Sequence, residues 1–177
     1  MESNQIIDIL RQITGPLGPL VSEEERWEAQ RKFQLDSPPS RIPFLVEFLQ
    51  EGDDELLKSF VDPEEARSLA AVALLNLYNS SPDKLRDTVE RLALGSPSQI
   101  QLVENMEDIP GELVEPIVLR CLQMNPDKEQ LIAIIGALSG MRTENSRKRL
   151  FELAEEYQRD TAVMSEINIA LKASKPS

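Results

Sequence analysis

The side chains that most often carry out catalysis are scarce in this sequence. Its 177 residues include no histidine, so the commonest general base and metal ligand is absent. The single cysteine, Cys121, falls within an apolar helical stripe, which favours a small core residue over a nucleophile. The sequence has no phosphate-binding loop, no G-x-G-x-x-G, no C-x-x-C and no G-x-S-x-G. We therefore predict a protein that is not an enzyme and that binds no cofactor.

Three consecutive acids, Asp53, Asp54 and Glu55, are the best candidates for binding a divalent cation. The residues after them lack the alternating acids and the glycine of a twelve-residue calcium loop. Solubility of a loop explains them more simply, so we predict no metal site.

The densest acidic segment runs from Glu104 to Glu115, and no Lys or Arg lies between Arg91 and Arg120. Its five acids are Glu104, Glu107, Asp108, Glu112 and Glu115. Such a segment could attract a basic part of a protein partner. Acids in a loop and at a helix start also complement the helix dipole without any partner. We predict that the segment supplies charge to a partner-binding surface.

A basic group of opposite sign lies near a predicted helix junction and consists of Arg142, Arg147, Lys148 and Arg149. It could bind phosphate, an acidic partner or the acidic segment of another copy, although a solvated helix face explains it as well. The formal net charge of −12 argues against nucleic acid and against anionic membrane surfaces. No apolar run approaches the ~20 residues that span a bilayer, so we predict no membrane insertion.

Helix start and stop signals are frequent along the chain, and no alternating strand pattern is present. Asp62-Pro63-Glu64-Glu65 combines an N-cap acceptor with a proline in the first helical position, and Ser22–Glu25 is a capping box. Asn125-Pro126 predicts a further helix start, and Gly52, Gly95 and Gly140 predict left-handed helix ends. The predicted helices cover residues 3–13, 22–35, 40–51, 63–79, 82–94, 97–107, 111–124, 127–141, 144–158 and 161–173.

Two successive predicted helices carry a recognisable pattern. An aliphatic helix, Arg41–Leu49, is followed by an Asp-Pro turn and the alanine-rich helix Asp62–Leu74. This pair resembles a HEAT repeat, and the resemblance extends over residues 40–173. It departs from the family at the insert Asp53–Phe60 and at residues 97–110, which make a poor second helix.

The resemblance implies a short right-handed α-α superhelix of stacked helix pairs, with an irregular helical bundle as the alternative. Members of this family mostly act as scaffolds and adaptors, which bind partners on a concave face formed by the second helices. On the helix over 63–79, that face would present Arg67, Ser68 and Ala71.

These observations predict a single all-α domain over 1–177, with residues 1–36 as an N-terminal helical cap and 40–173 as stacked pairs. Trp27 is expected to anchor the cap, or else to contact a partner. The expected function is a cytoplasmic, non-catalytic adaptor, inhibitor or assembly factor that binds a protein partner. The alternatives are a ligand-binding protein, lyase or chaperone for a chromophore, and a structural subunit that forms homo-oligomers.

Overall fold

The computed structural model describes residues 2–15, 22–50 and 57–174, and within these ranges it contains ten α-helices and no strand. The prediction of an all-α fold is confirmed. The helices are α1 (Glu2–Thr14), α2 (Glu23–Leu35), α3 (Ile42–Gln50), α4 (Pro63–Ser80), α5 (Pro82–Gly95), α6 (Gln99–Glu104), α7 (Gly111–Gln123), α8 (Lys128–Met141), α9 (Glu144–Glu156) and α10 (Thr161–Ala173). Two 3₁₀ helices, Pro39–Arg41 and Asn105–Asp108, join α3 and α6 to their neighbours.

Two predicted helix starts have the expected cap geometry. At α2, the Glu25 backbone N–H donates to Ser22 Oγ at 3.2 Å, and the Glu25 carboxylate accepts from the Ser22 N–H at 2.9 Å. At α4, the Glu65 N–H donates to Asp62 Oδ1 at 2.9 Å, and Pro63 is the first helical residue. The capping box and the Asp-Pro start are therefore confirmed.

Other predicted boundaries differ from the structure. Helix α8 is capped by Asp127, which accepts from the Gln130 N–H at 2.9 Å, while Asn125 has the left-handed φ of 54°. No glycine among the described residues has a positive φ, so the left-handed conformation predicted at Gly95 and Gly140 was wrong, although α5 does end at Gly95 as predicted. Helix α8 instead ends with Arg142 in the left-handed conformation, at a φ of 52°. Gly52 lies outside the described residues.

The chain divides into two compact units, Met1–Gln101 and Leu102–Ser177, with the boundary inside α6. In the first unit α4 is the central helix, and it packs against α1, α2, α3 and α5. The helices of the predicted N-terminal cap thus belong to the same unit as α3, α4 and α5. Glu65 links three of these helices, because it accepts from Arg26 at 3.1 Å and from Gln30 at 2.9 Å, while Gln30 also donates to the Ile13 carbonyl at 2.7 Å.

In the second unit α8 is the central helix. It packs against α7, α9, α10 and the 3₁₀ helix Asn105–Asp108. Between Leu131 and Met141 no residue of α8 is fully exposed, as expected for a helix that is apolar on nearly all sides. This unit contains the candidate site.

Candidate functional site

A groove of about 420 Å³ runs along one side of α8 in the second unit. We name it the α8 groove. One wall is the end of α6 with the following 3₁₀ helix, the other wall is α10, and the floor is α8 itself. Its volume falls within the range of ligand-binding pockets in proteins, so it is large enough to receive a bound group.

The floor of the groove is mostly apolar and is partly made of bare backbone. Ile132, Gly136 and Ser139 recur at the spacing of one helical face, and all three are half-buried where the surrounding residues of α8 are mostly buried. Apart from the backbone of α8 and the two neighbouring residues, a Cβ atom added to Gly136 would meet no atom of the described residues within 4 Å. The groove therefore exposes the main chain of α8 at its centre, and Ile169 of α10, which is 58% exposed, adds apolar surface beside it.

Three carboxylates stand around this apolar floor. Glu104 and Glu107 are exposed on the wall formed by α6 and the 3₁₀ helix, and Glu166 is half-buried on the α10 wall. None of the described residues that line the groove is Lys or Arg. The groove therefore combines an apolar surface with negative charge on two sides, which favours a ligand that is both apolar and cationic.

One wall is held against α8 by a close contact at Gly140. A Cβ atom at this position would lie 2.3 Å from the Glu107 Cβ and 2.9 Å from the Glu107 Cα. Only glycine lets the 3₁₀ helix approach α8 so closely, which explains why Gly140 lies inside the helix instead of ending it. The contact also fixes the backbone from which the Glu107 carboxylate projects.

The α10 wall is fixed to α8 by polar contacts near both ends. Lys128, at the start of α8, forms an ion pair with Asp160, the N-cap of α10, at 3.1 Å. The hydrogen bond from the Val163 N–H and that from Lys128 lower the pKa of the Asp160 carboxyl. Towards the other end, Ser139 Oγ donates to the Ala170 carbonyl at 3.3 Å.

The structure separates the five acids of the predicted acidic segment. Glu104 and Glu107 line the α8 groove, whereas Asp108 and Glu112 are exposed but are not among its lining residues. Glu115 accepts a hydrogen bond from the Thr143 hydroxyl, so this carboxylate supports the junction of α8 and α9.

Glu166 was missed by sequence reasoning, because residues 126–177 carry eight acids and eight bases and no acidic run marks it. One signal was available. Glu166 and Ile169 fall beside the buried stripe of α10, which consists of Val163, Ile167 and Ala170. An isoleucine beside the apolar stripe of an amphipathic helix departs from the polar pattern of a solvated face, and this departure can be read from the sequence.

The basic group does not line the α8 groove. Arg142 is exposed at the end of α8, and the Arg147 guanidinium lies 5.8 Å from the centre of the Phe151 ring. Lys148 and Arg149 approach Glu152 at 4.0 and 2.7 Å, and the hydrogen bond from Arg149 lowers the pKa of the Glu152 carboxyl. Glu152 therefore offsets part of the positive charge on α9 itself.

The predicted partner surface on the helix over 63–79 requires a correction. Ala71 is completely buried, because α4 is surrounded by four helices and this side chain lies within the core. Arg67 and Ser68 are half-buried and take part in interactions within the protein. Ala71 cannot contact a partner in this structure, and the α8 groove replaces α4 as the candidate surface.

The remaining chemical candidates do not form a site. Cys121 is buried in α7, as predicted, and the described residues contain no group of three or more potential metal ligands among Cys, Asp and Glu. Asp53, Asp54 and Glu55 lie outside the described residues. Trp27 is 62% exposed beneath the Arg31 guanidinium, so its predicted role as an anchor was wrong, and the alternative of a partner contact stays a prediction.

Across residues 2–15, 22–50 and 57–174, no helix combines the length and apolar character needed to cross a bilayer. No protein-family model, no curated protein and no solved structure matches the chain. The assignment of a function therefore depends on the α8 groove and its charge.

Proposed function

We propose that the chain is a non-catalytic protein-interaction module, and that its α8 groove binds a basic, partly apolar segment of a protein partner. The observation that carries this proposal is the apolar floor around Gly136 with Glu104, Glu107 and Glu166 on its two sides. Apolar contact with the floor supplies affinity, and the carboxylates orient the segment and raise its rate of association.

The net charge of −12 supports the same class of partner. A basic segment is attracted to the whole molecule over roughly a Debye length, whereas nucleic acid is repelled. The carboxylate rim also disfavours chromophores that carry acidic groups. The proposal therefore keeps the adaptor, inhibitor or assembly-factor role and sets the chromophore-binding alternative aside.

The proposal includes a cytoplasmic location and a HEAT-like origin of the helix pairs. A cytoplasmic location fits a chain whose single cysteine leaves no disulfide within the molecule. A HEAT-like origin of the helix pairs fits the Asp-Pro start of α4, and a superhelix of stacked pairs follows from that origin. Neither is needed for the groove to bind a partner.

Gly136→Leu is expected to abolish partner binding while leaving the fold intact. Its Cβ meets open space, leucine is a good helix former, and the side chain would occupy the centre of the groove. Gly95→Leu is the matched control, since Gly95 is also helical and also faces open space, but lies in the first unit. The measurement is affinity capture from a lysate of the source cells, with circular dichroism to verify each fold.

The informative comparison is between the three immobilised proteins. Proteins retained by the wild type and by Gly95→Leu, but lost from Gly136→Leu, would support the proposal, and we expect high salt to release them. Identical capture by all three proteins, or no specific capture by any of them, would refute it.

A further inference from the structure

The surroundings of the two central helices differ in one respect. In the first unit, α4 is packed by four α-helices of nine residues or more. In the second unit, α8 is packed by three long helices and by Asn105–Asp108, a 3₁₀ helix of four residues. This short element covers α8 near Gly140, and none of the described residues covers the side next to Gly136. The α8 groove is thus an incompletely filled position around an apolar helix.

The uncovered side has the length and pattern of a helix contact. Ile132 and Ser139 are seven residues apart, which is about 10 Å or two turns along α8. Gly136 lies between them and presents bare backbone. Helices approach one another closely where small residues meet, so a helix crossing here would place a small residue over Gly136.

Backbone hydrogen bonding favours a helical occupant over an extended one. The main-chain groups of α8 are engaged within the helix, and the described ranges contain no strand whose edge could pair with an extended segment. An extended segment on this apolar floor would leave its own N–H and C=O groups facing apolar atoms without partners. A helix satisfies these groups internally and presents only side chains.

We propose that the partner segment is an amphipathic, cationic helix that lies along α8 and fills the fourth position around it. A Gly, Ala or Ser of the segment packs on Gly136, larger apolar residues contact Ile132 and Ile169, and Lys or Arg residues reach Glu107 and Glu166 on the two sides. This inference rests on the proposed function. It adds that the partner segment is helical and that Gly136 favours a segment with a small residue at the contact.

A selection without any bias towards helices tests this inference. Randomised 16-residue peptides displayed on phage are selected on the full-length wild-type protein, and then sorted by loss of binding to Gly136→Leu and retention by Gly95→Leu. We expect Gly136-dependent peptides to carry apolar residues at i, i+4 and i+7, and one of these three should be a small residue. Lys or Arg should lie on either side of this apolar face. Replacing the small residue with leucine should weaken binding about tenfold or more.

The outcomes separate the helix inference from the proposed function. Gly136-dependent peptides could instead contain prolines within their common motif, or apolar residues at every second position. The helix inference would then be wrong, while the groove would still bind a basic segment. If no peptide depends on Gly136, the proposed function fails together with the inference.

Discussion

Gly140→Ala is expected to destabilise the protein by about 2 kcal/mol, whereas Gly136→Ala, one turn earlier in the same helix, should stabilise it by about 1 kcal/mol. At position 140 the new methyl group would lie 2.3 Å from the Glu107 Cβ and 3.0 Å from the Glu107 carbonyl oxygen, so the 3₁₀ helix must move away from α8. We take about 3 kcal/mol for this overpacking and subtract about 1 kcal/mol for the better helix propensity of alanine. At position 136 only the propensity gain applies, because the methyl group meets no atom of another described element within 4 Å.

Urea unfolding followed by helical circular dichroism measures both changes on the full chain. With an m-value of about 2 kcal/mol/M, the midpoint should fall by about 1 M for Gly140→Ala and rise by about 0.5 M for Gly136→Ala. Each of the two variants is a control for the other, because both replace a helical glycine of ordinary φ with alanine. Equal shifts of one sign would show that Gly140 does not hold the 3₁₀ helix against α8.

Reversing two charges on the rim of the α8 groove should weaken the binding of a basic, groove-dependent peptide about 30-fold. The change is Glu107→Lys with Glu166→Lys, which places a repelling charge on each side of the floor. Each reversal costs about 1 kcal/mol at a partly exposed rim, and about 2 kcal/mol corresponds to about 30-fold in affinity. Titration calorimetry at several salt concentrations measures the effect. Wild-type affinity should fall as salt rises, and the affinity of the double variant should fall less steeply.

A second double variant separates the rim from the net charge. Asp87→Lys with Glu155→Lys alters two exposed acids outside the groove. Each substitution removes one negative charge and adds one positive charge, so both double variants change the formal net charge from −12 to −8. We expect the control variant to lose no more than about threefold, through weaker long-range attraction. Equal losses in both variants would contradict a role for the rim itself.

The helices were largely predictable because their signals are local. Ser22, Asp62 and Pro63 cap or start a helix within a few residues of themselves, and the apolar period that follows depends only on the next turns. The glycine at position 140 was misinterpreted, because a glycine can mark either a helix end or a close contact between elements. Gly140 has no side chain so that Glu107, 33 positions earlier in the chain, can pack against it, and no local rule contains that contact.

The α8 groove was predictable only in part. The run of acids identified Glu104 and Glu107, because charge density can be read directly from a sequence. Gly136 and Glu166 could not be placed beside them, since the groove exists only where α6, α8 and α10 meet. Ala71 was misassigned for the related reason that a helix alone does not show how many neighbours cover it, and α4 has four.

The central claim is that a basic helix occupies the α8 groove, and nuclear Overhauser effects between a bound peptide and the protein test it most directly. The sample is full-length protein with labelled Ile, Leu and Val methyl groups, bound to a Gly136-dependent peptide. We predict contacts from one face of a helical peptide to the methyl groups of Ile132 and Ile169, and from its small residue to the Gly136 amide and α protons. Contacts to Leu35 or Val61 in the first unit, with none to Ile132 or Ile169, would contradict the account.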